Sequence, residues 1–463
     1  PHSLDLLADG ANIDFDVAVG GTNPLGAVTI DAATNVTVDS TFDAASLVQS
    51  AGDGTTTLSG DVTTTASAGL DVTTASVTLG LATITADDGA VRFAGDVTLT
   101  QILAVDTTAG VVDGGDGTFE VTGTLDATAA ETLTLTLGQG DALFGDGIGG
   151  DDVGGTTPLD DVLIVSAANV TAEGTFDAAS LDVTATGTVQ FAGALTVTDG
   201  TTLALDAVTV DLDGDVTTNG GAVDIDVSGA VDLATGRTLD TSGPTEGDAG
   251  GAVAIDASGT GTVNLVGDVV TAGAASASDG VAAGAGGAVA ITTANGAINV
   301  AGIDTRGGAH TGSLVTDDGA VAGAITLDAN SDNTITLLGG SLLAVGGTSA
   351  NGTAGNGALI SFLGSADDTA VVELAGATTV DSGPGGGVLF DGTLDGDGGG
   401  PHSLDLLADG ANIDFDAAVG GTNPLGAVTV DDAVNVTADS TFGAASLDVT
   451  ATGTVQFLSL IHI

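Results

Sequence analysis

Gly-Gly-Ala-Val-Ala-Ile-Asp-Ala, residues 250–257, carries the reading of the whole chain. Val253 and Ile255 alternate with Ala254 and Asp256, so one face of an extended strand is strongly apolar and the other is not. The same start, Gly followed by Ala or Gly and then an aliphatic residue, recurs at Gly221, Gly251, Gly287, Gly323, Gly357 and Gly387, at spacings of 30, 36, 36, 34 and 30. Each unit holds two or three such five-residue runs, for example 252–256 and 262–266, separated by Gly, Ser, Asp and Asn. That is strand and turn chemistry. No 3.6-residue period is sustained, and β-branched Val and Thr abound, so helices are expected to be nearly absent.

Outward from this short rhythm lies a longer one. Residues 1–30 return almost unchanged at 401–430, and 154–191 align without gaps to 420–457 at an offset of 266. The organisation expected is therefore the end of one repeat unit at 1–111, a complete unit of about 266 residues at 112–378, and the start of the next at 379–457. Residues 458–463, Leu-Ser-Leu-Ile-His-Ile, break the repeat and resemble one reading frame of a transposon-end sequencing adapter, so this tail is read as artefact. Pro1 follows no Met and no leader, and the expectation is a chain that continues upstream.

Composition narrows the architecture. Of 463 residues 43% are hydrophobic, yet Trp, Tyr, Cys and Met are absent and only 12 are Phe, against 76 Gly. A sandwich of about 100 residues anchors its core on large side chains. A coil of short strands fills a narrow interior with Val, Ile, Leu and Ala and turns its corners with Gly, Asn and Asp. The expected fold is accordingly all-β: a parallel β-solenoid, with coils of roughly 20–35 residues stacked about 4.8 Å apart into a rod.

Charge excludes whole classes of partner. There are 62 Asp and Glu against three basic residues, Arg92, Arg237 and Arg306, for a formal charge of −59. Phosphate backbones and anionic membranes need clustered cations, so nucleic acid is excluded as a direct partner. The long uncharged stretch 333–366 is broken by Gly, Ser, Thr and Asn into short apolar runs, which read as strands rather than a membrane span. Cysteine chemistry and disulfides are likewise excluded.

At this point the blocks GGTNPLGAVTV (420–430), GGAVAI (250–255 and 286–291) and LDTSG (239–243) resemble the β-strand repeat regions of filamentous-haemagglutinin-like and autotransporter-like bacterial surface adhesins. The resemblance covers nearly all of 1–457. It implies a secreted, right-handed parallel β-helix that displays adhesive regions at the bacterial cell surface, its partner a host or neighbouring cell surface or an extracellular polysaccharide. It implies no enzyme. The alternatives weighed are a β-helical polysaccharide-active enzyme, a calcium-binding repeat array and an ice-facing array of Thr-x-Thr runs such as 132–136.

Candidate sites follow from the acids. Only five of the 62 are Glu; the rest are Asp, the short carboxylate that suits turns and hard cations. The calcium candidates are Asp211, Asp213 and Asp215, and Asp328, Asn330 and Asp332 in a run resembling half of a D-x-N-x-D loop; further clusters lie at Asp141, Asp146, Asp151 and Asp152, and at Asp391, Asp395 and Asp397. No cofactor is otherwise expected. Adjacent carboxylates, as at Asp160-Asp161 or Asp317-Asp318, point to opposite faces of a strand and do not converge for catalysis. Asp304, Arg306 and His310 gather unlike polar groups but read as an ordinary Gly-rich surface loop. Asn35, Asn169, Asn351 and Asn435 begin N-x-Thr sequons, three of them at one repeat position, which favours a strand-end Asn over a glycan acceptor.

Overall fold

The computed structural model describes residues 2–108, 117–146, 151–330, 333–364, 370–458 and 461–462. The chain is all-β, and no helix occurs among the described residues. It divides into two compact units, Pro1–Thr198 with Ala204–Gly214, and Asp199–Leu203 with Asp215–Ile463. The strand pairings within each unit are parallel, and strands pair with others one coil before and one coil after, which makes each unit a parallel β-solenoid.

In the first unit Leu47, Leu70, Val91, Phe119, Ala142 and Val170 are successive register partners, so the chain returns to one column once per coil, at unequal intervals. In the second, Val223, Val253, Val289, Ile325 and Ile360 form such a column at longer intervals. The Gly-Ala-aliphatic rhythm of the sequence is thus the coil itself. The stretch 333–366 contributes the strands Thr334–Leu337, Gly340–Leu343 and Ile360–Leu363, as its interruptions predict. Among the described residues no helix is long and apolar enough to cross a membrane.

Strict alternation fills the interior. In Val253–Ala257 the odd positions are buried and Ala254 and Asp256 are exposed. All twelve Phe lie in ring-to-ring contact: Phe15 against Phe42 and the file Phe93, Phe119, Phe144, Phe176, Phe191 in the first unit, and Phe362, Phe390, Phe415, Phe442, Phe457 in the second. Stacking one coil on another at matched register brings like residues together, and each aromatic pair contributes about 0.5–1.5 kcal/mol beyond its burial.

Corners are fixed by buried threonines. Thr241, Thr271 and Thr305 are fully buried, and their hydroxyls donate to the carbonyls of Gly251, Gly287 and Gly323 at 2.6 Å. Each bond closes the loop between one strand and the Gly that starts the next coil. A hydroxyl here serves where a methyl would leave a buried carbonyl unpaired.

Candidate functional site

Outward-facing side chains form columns that run from coil to coil, so the chemistry of the surface is set by register. Asp211 and Asp213 flank the end of Thr209–Leu212, and both accept from the amide of Gln190 on the preceding coil, at 3.2 and 3.3 Å. Asp215 belongs to the second unit, where its Oδ1 accepts the Thr238 backbone N–H at 3.0 Å. Asp328 lies on Ile325–Ala329, its pKa raised first by burial and then by the charge of Asp391, and its Oδ1 is buried without a hydrogen-bond partner. Asn330 uses its backbone N–H on Thr293 and its carbonyl on Asn333, and Asp332 lies outside the described residues.

The further acidic clusters of the sequence cap turns. Asp141 accepts both the backbone and side-chain N–H groups of Asn169, Asp152 accepts the Thr175 N–H, and Asp395, only 7% exposed, accepts those of Thr422 and Asn423. Short carboxylates one coil away satisfy backbone donors that the strand ladder leaves open.

The group that register does bring together is one the sequence reading passed over. Carboxylate oxygens of Asp14, Asp16 and Asp39 all lie within 4.8 Å of one another, and all three residues are exposed. Asp14 and Asp16 stand two apart on one outward face, and Asp39 follows on the next coil, where its N–H donates to the Phe15 carbonyl. Burial, then the charges of Asp16 and Asp39, hold the Asp14 carboxyl above its ordinary pKa. The sequence repeat carries Asp414, Asp416 and Asp439 at the matching positions, though their carboxylates do not converge as the first three do, and Asp416 is raised by burial and by Asp391, Asp414 and Asp439. Oxygen-only clusters of this kind suit a hard cation such as Ca2+, which takes six to eight oxygens. The sequence signal was the repeated Ile-Asp-Phe-Asp, 13–16 and 413–416, each followed one coil later by a matching acid, Asp39 or Asp439.

Four glycine-rich loops in the second unit, at 241–251, 271–287, 305–323 and 344–358, form a different surface. Each leaves the coil, turns and returns, and the legs hydrogen-bond to one another in an unbroken series: Ala274 to Asp248, Gly284 to Ala274, Gly308 to Gly284, Ala320 to Gly308, Gly347 to Ala320 and Gly355 to Gly347, all at 2.7–3.0 Å. A Cβ on Gly284, Gly308, Gly347 or Gly355 would meet the facing backbone well inside contact distance. At these four positions the legs pack so closely that only glycine fits.

Carboxylates tie the tips of these loops together. Glu246 accepts from the backbones of Ser278 and Ala277 and from the hydroxyls of Ser278 and Ser276, which lowers its pKa to about 2. Asp279 accepts the N–H and hydroxyl of Ser313, and Asp318 the N–H of Thr353; both carboxyls are held below their ordinary range by those bonds. His310 is only 1% exposed and bridges Ser276 and Ser349 on the coils either side; its Nε2 donates to the Val281 carbonyl at 2.7 Å while Nδ1 accepts the Gly312 N–H at 3.0 Å. It is therefore a core element of the loop stack rather than part of an ordinary surface loop. Arg306 turns instead to Asp304 in a two-pronged pair at 2.6–3.0 Å. The histidine and the other two thus take different hydrogen-bond partners.

The sequon asparagines are committed. Asn35 and Asn435 donate to Asn12 and Asn412, Asn169 donates to Asp141, and the three carbonyl oxygens accept the N–H groups of Thr55, Thr454 and Thr188. Asn351 donates to the Gly312 carbonyl. Among the cavities, one of about 940 Å3 is lined by Pro401, 419–421, Pro424, Leu425 and 441–445, and none of these described residues has a titratable side chain. Comparison with protein-family models, with curated proteins and with solved structures finds no match to this chain.

Proposed function

We propose that this chain is a non-catalytic structural and display segment of a large secreted bacterial surface adhesin. On this reading it works outside the cell by holding an acidic solenoid surface toward a neighbouring cell or an extracellular polysaccharide. The observation that supports it is the division of labour across each coil: apolar bulk packs inward in register, while carboxylates outside, such as Asp152, Asp318 and Asp395, accept backbone donors of the next coil. Such an arrangement makes coil upon coil from short local signals and leaves the loops free to vary.

The test has two arms. Antibodies raised against the purified chain are applied to intact and to permeabilised source cells, and the chain is incubated with acidic and neutral polysaccharides while new reducing ends and unsaturated uronates are followed. Labelling of intact cells with no cleavage is the expected result. Labelling only after permeabilisation, or sustained cleavage of any glycan, would overturn the reading and favour a polysaccharide-active enzyme.

A second reading, a cation-loaded array, draws on the Asp14, Asp16 and Asp39 cluster. Calcium titration by calorimetry separates the two: a saturable site that Asp39→Asn abolishes supports the array, whereas weak non-saturating uptake leaves only charge screening.

A further inference from the structure

Exposed aliphatic side chains are scattered over the chain, and four of them stand on two of the glycine-packed loops, 271–287 and 305–323. Val281 is 41% exposed, Leu314 45%, Val321 50% and Val315 79%. Between two of these loops runs a groove of about 540 Å3, one wall formed by Gly280, Val281, Ala282, Ala283 and Ala285, the other by 316–321. Its floor and walls are mostly glycine, alanine and valine, and the second wall carries Asp317, buried, and Asp318, exposed. Asp279 lies beside it, next to Gly280. No basic side chain lines the groove.

We propose that this groove is a docking site for an extended polypeptide in which aliphatic residues alternate with lysine or arginine. Alternation gives an extended segment an aliphatic face that enters the groove between Val281 and Val321 on its two walls, and a cationic outer face toward the exposed Asp318 on one wall and Asp279 beside the other. Charge complementarity selects the cation, because Asp279 and Asp318 are anions held by backbone donors and have no basic partner on the groove walls. A second copy of this chain, at −59, and an anionic membrane are both repelled. A glycan is disfavoured because sugar rings stack on aromatic faces, and no aromatic residue lines the groove. The glycine-packed legs hold the walls rigid, so little conformational freedom is lost on docking. The assignment deepens the display reading by naming a contact and rests on it for its setting.

The experiment measures binding of an acetylated, amidated Val-Lys octapeptide to the full chain in 0.15 M salt by fluorescence anisotropy, with a Thr-Lys octapeptide of equal charge as comparison. The expected result is at least tenfold tighter binding of Val-Lys. Val321→Asn, at a half-exposed position, is expected to cut that affinity at least fivefold, with Val281→Thr as the second variant. Asp318→Asn, which keeps an acceptor for Thr353, is expected to weaken both peptides. Val165→Asn, on an exposed site of the first unit, is expected to change nothing. Equal affinity for the two peptides, or indifference to both valine variants with unchanged circular dichroism, would reduce the interaction to diffuse charge attraction and overturn the proposal. Cell-surface labelling is independent of this outcome, so failure of the groove and failure of the display reading are told apart.

Discussion

A methyl group added at Gly284 would run into the carbonyl of Asp248 on the neighbouring loop leg, whereas one added at Gly280 would meet nothing within 4 Å and would only have to tolerate a φ of +81°. The two positions therefore separate close packing from backbone conformation. Gly284→Ala is expected to cost about 3 kcal/mol, since backbone cannot rotate out of the way, and Gly280→Ala about 1 kcal/mol; urea midpoints of the two variants check this, and equal losses would refute the packing account. The acids divide in a similar way. Asp416 is exposed and its pKa is raised, so its charged form is disfavoured by folding. Asp416→Asn is expected to stabilise the second unit by about 0.5 kcal/mol once solvent screening is allowed for, with the gain fading as pH falls through the raised folded-state value. Glu246 is the opposite case: its contribution is full above the ordinary carboxylate range and is lost as pH falls toward about 2.

Strands and loops owe their stability to what lies one coil away. Phe390 stacks on Phe362 at 4.6 Å with 7° between ring planes and on Phe415 at 5.2 Å with 5°. Removing it opens two contacts at once: Phe390→Ala is expected to cost about 3–5 kcal/mol, and Phe390→Leu, which keeps most of the volume, under about 1.5 kcal/mol. Thermal unfolding followed by circular dichroism distinguishes them, and near-equal melting temperatures would mean that the ring file carries no special weight. The strands themselves were legible in sequence because alternation at 252–256 is a local property. The loops were less so. His310 read as surface because its sequence neighbours are Ala, Gly and Thr, and its burial comes from Ser276 and Ser349, each a full coil away along the chain.

For the whole molecule the governing quantity is charge. Asp226 faces Asp256 in register, and Glu373 faces Asp395. Two carboxylates about 4.8 Å apart repel by about 0.9 kcal/mol even at the dielectric of water. With three basic residues against 62 acids, stability is expected to rise with salt and with millimolar calcium. A melting temperature unchanged between low salt with chelator and 0.5 M salt would refute this. The pH profile carries both signs. Asp14, Asp328, Asp381 and Asp416 have raised pKa values, so stability increases as mild acid relieves them. Glu246, Asp279 and Asp318 have lowered values, so stability declines once pH drops below the ordinary carboxylate range, about 4. A maximum on the mildly acidic side of neutrality is the expected outcome of a pH series of melting curves.

The amino-acid sequence by itself determined the β class and the coil with its changing length, because alternation and glycine starts are written within a few residues, and it determined the net charge, which is a sum over all of them. Only the tertiary structure decided which side chains meet. Asp14, Asp16 and Asp39 converge while Asp304 and His310 take different partners, and Val281 and Val321 come to border one groove. The physical reason lies in the uneven coil: Val28 meets Leu47 across a short coil, whereas Val253 meets Val289 across a much longer one that carries a glycine-rich loop. Register across coils is the outcome of every turn between them, and it is fixed only when the coils pack.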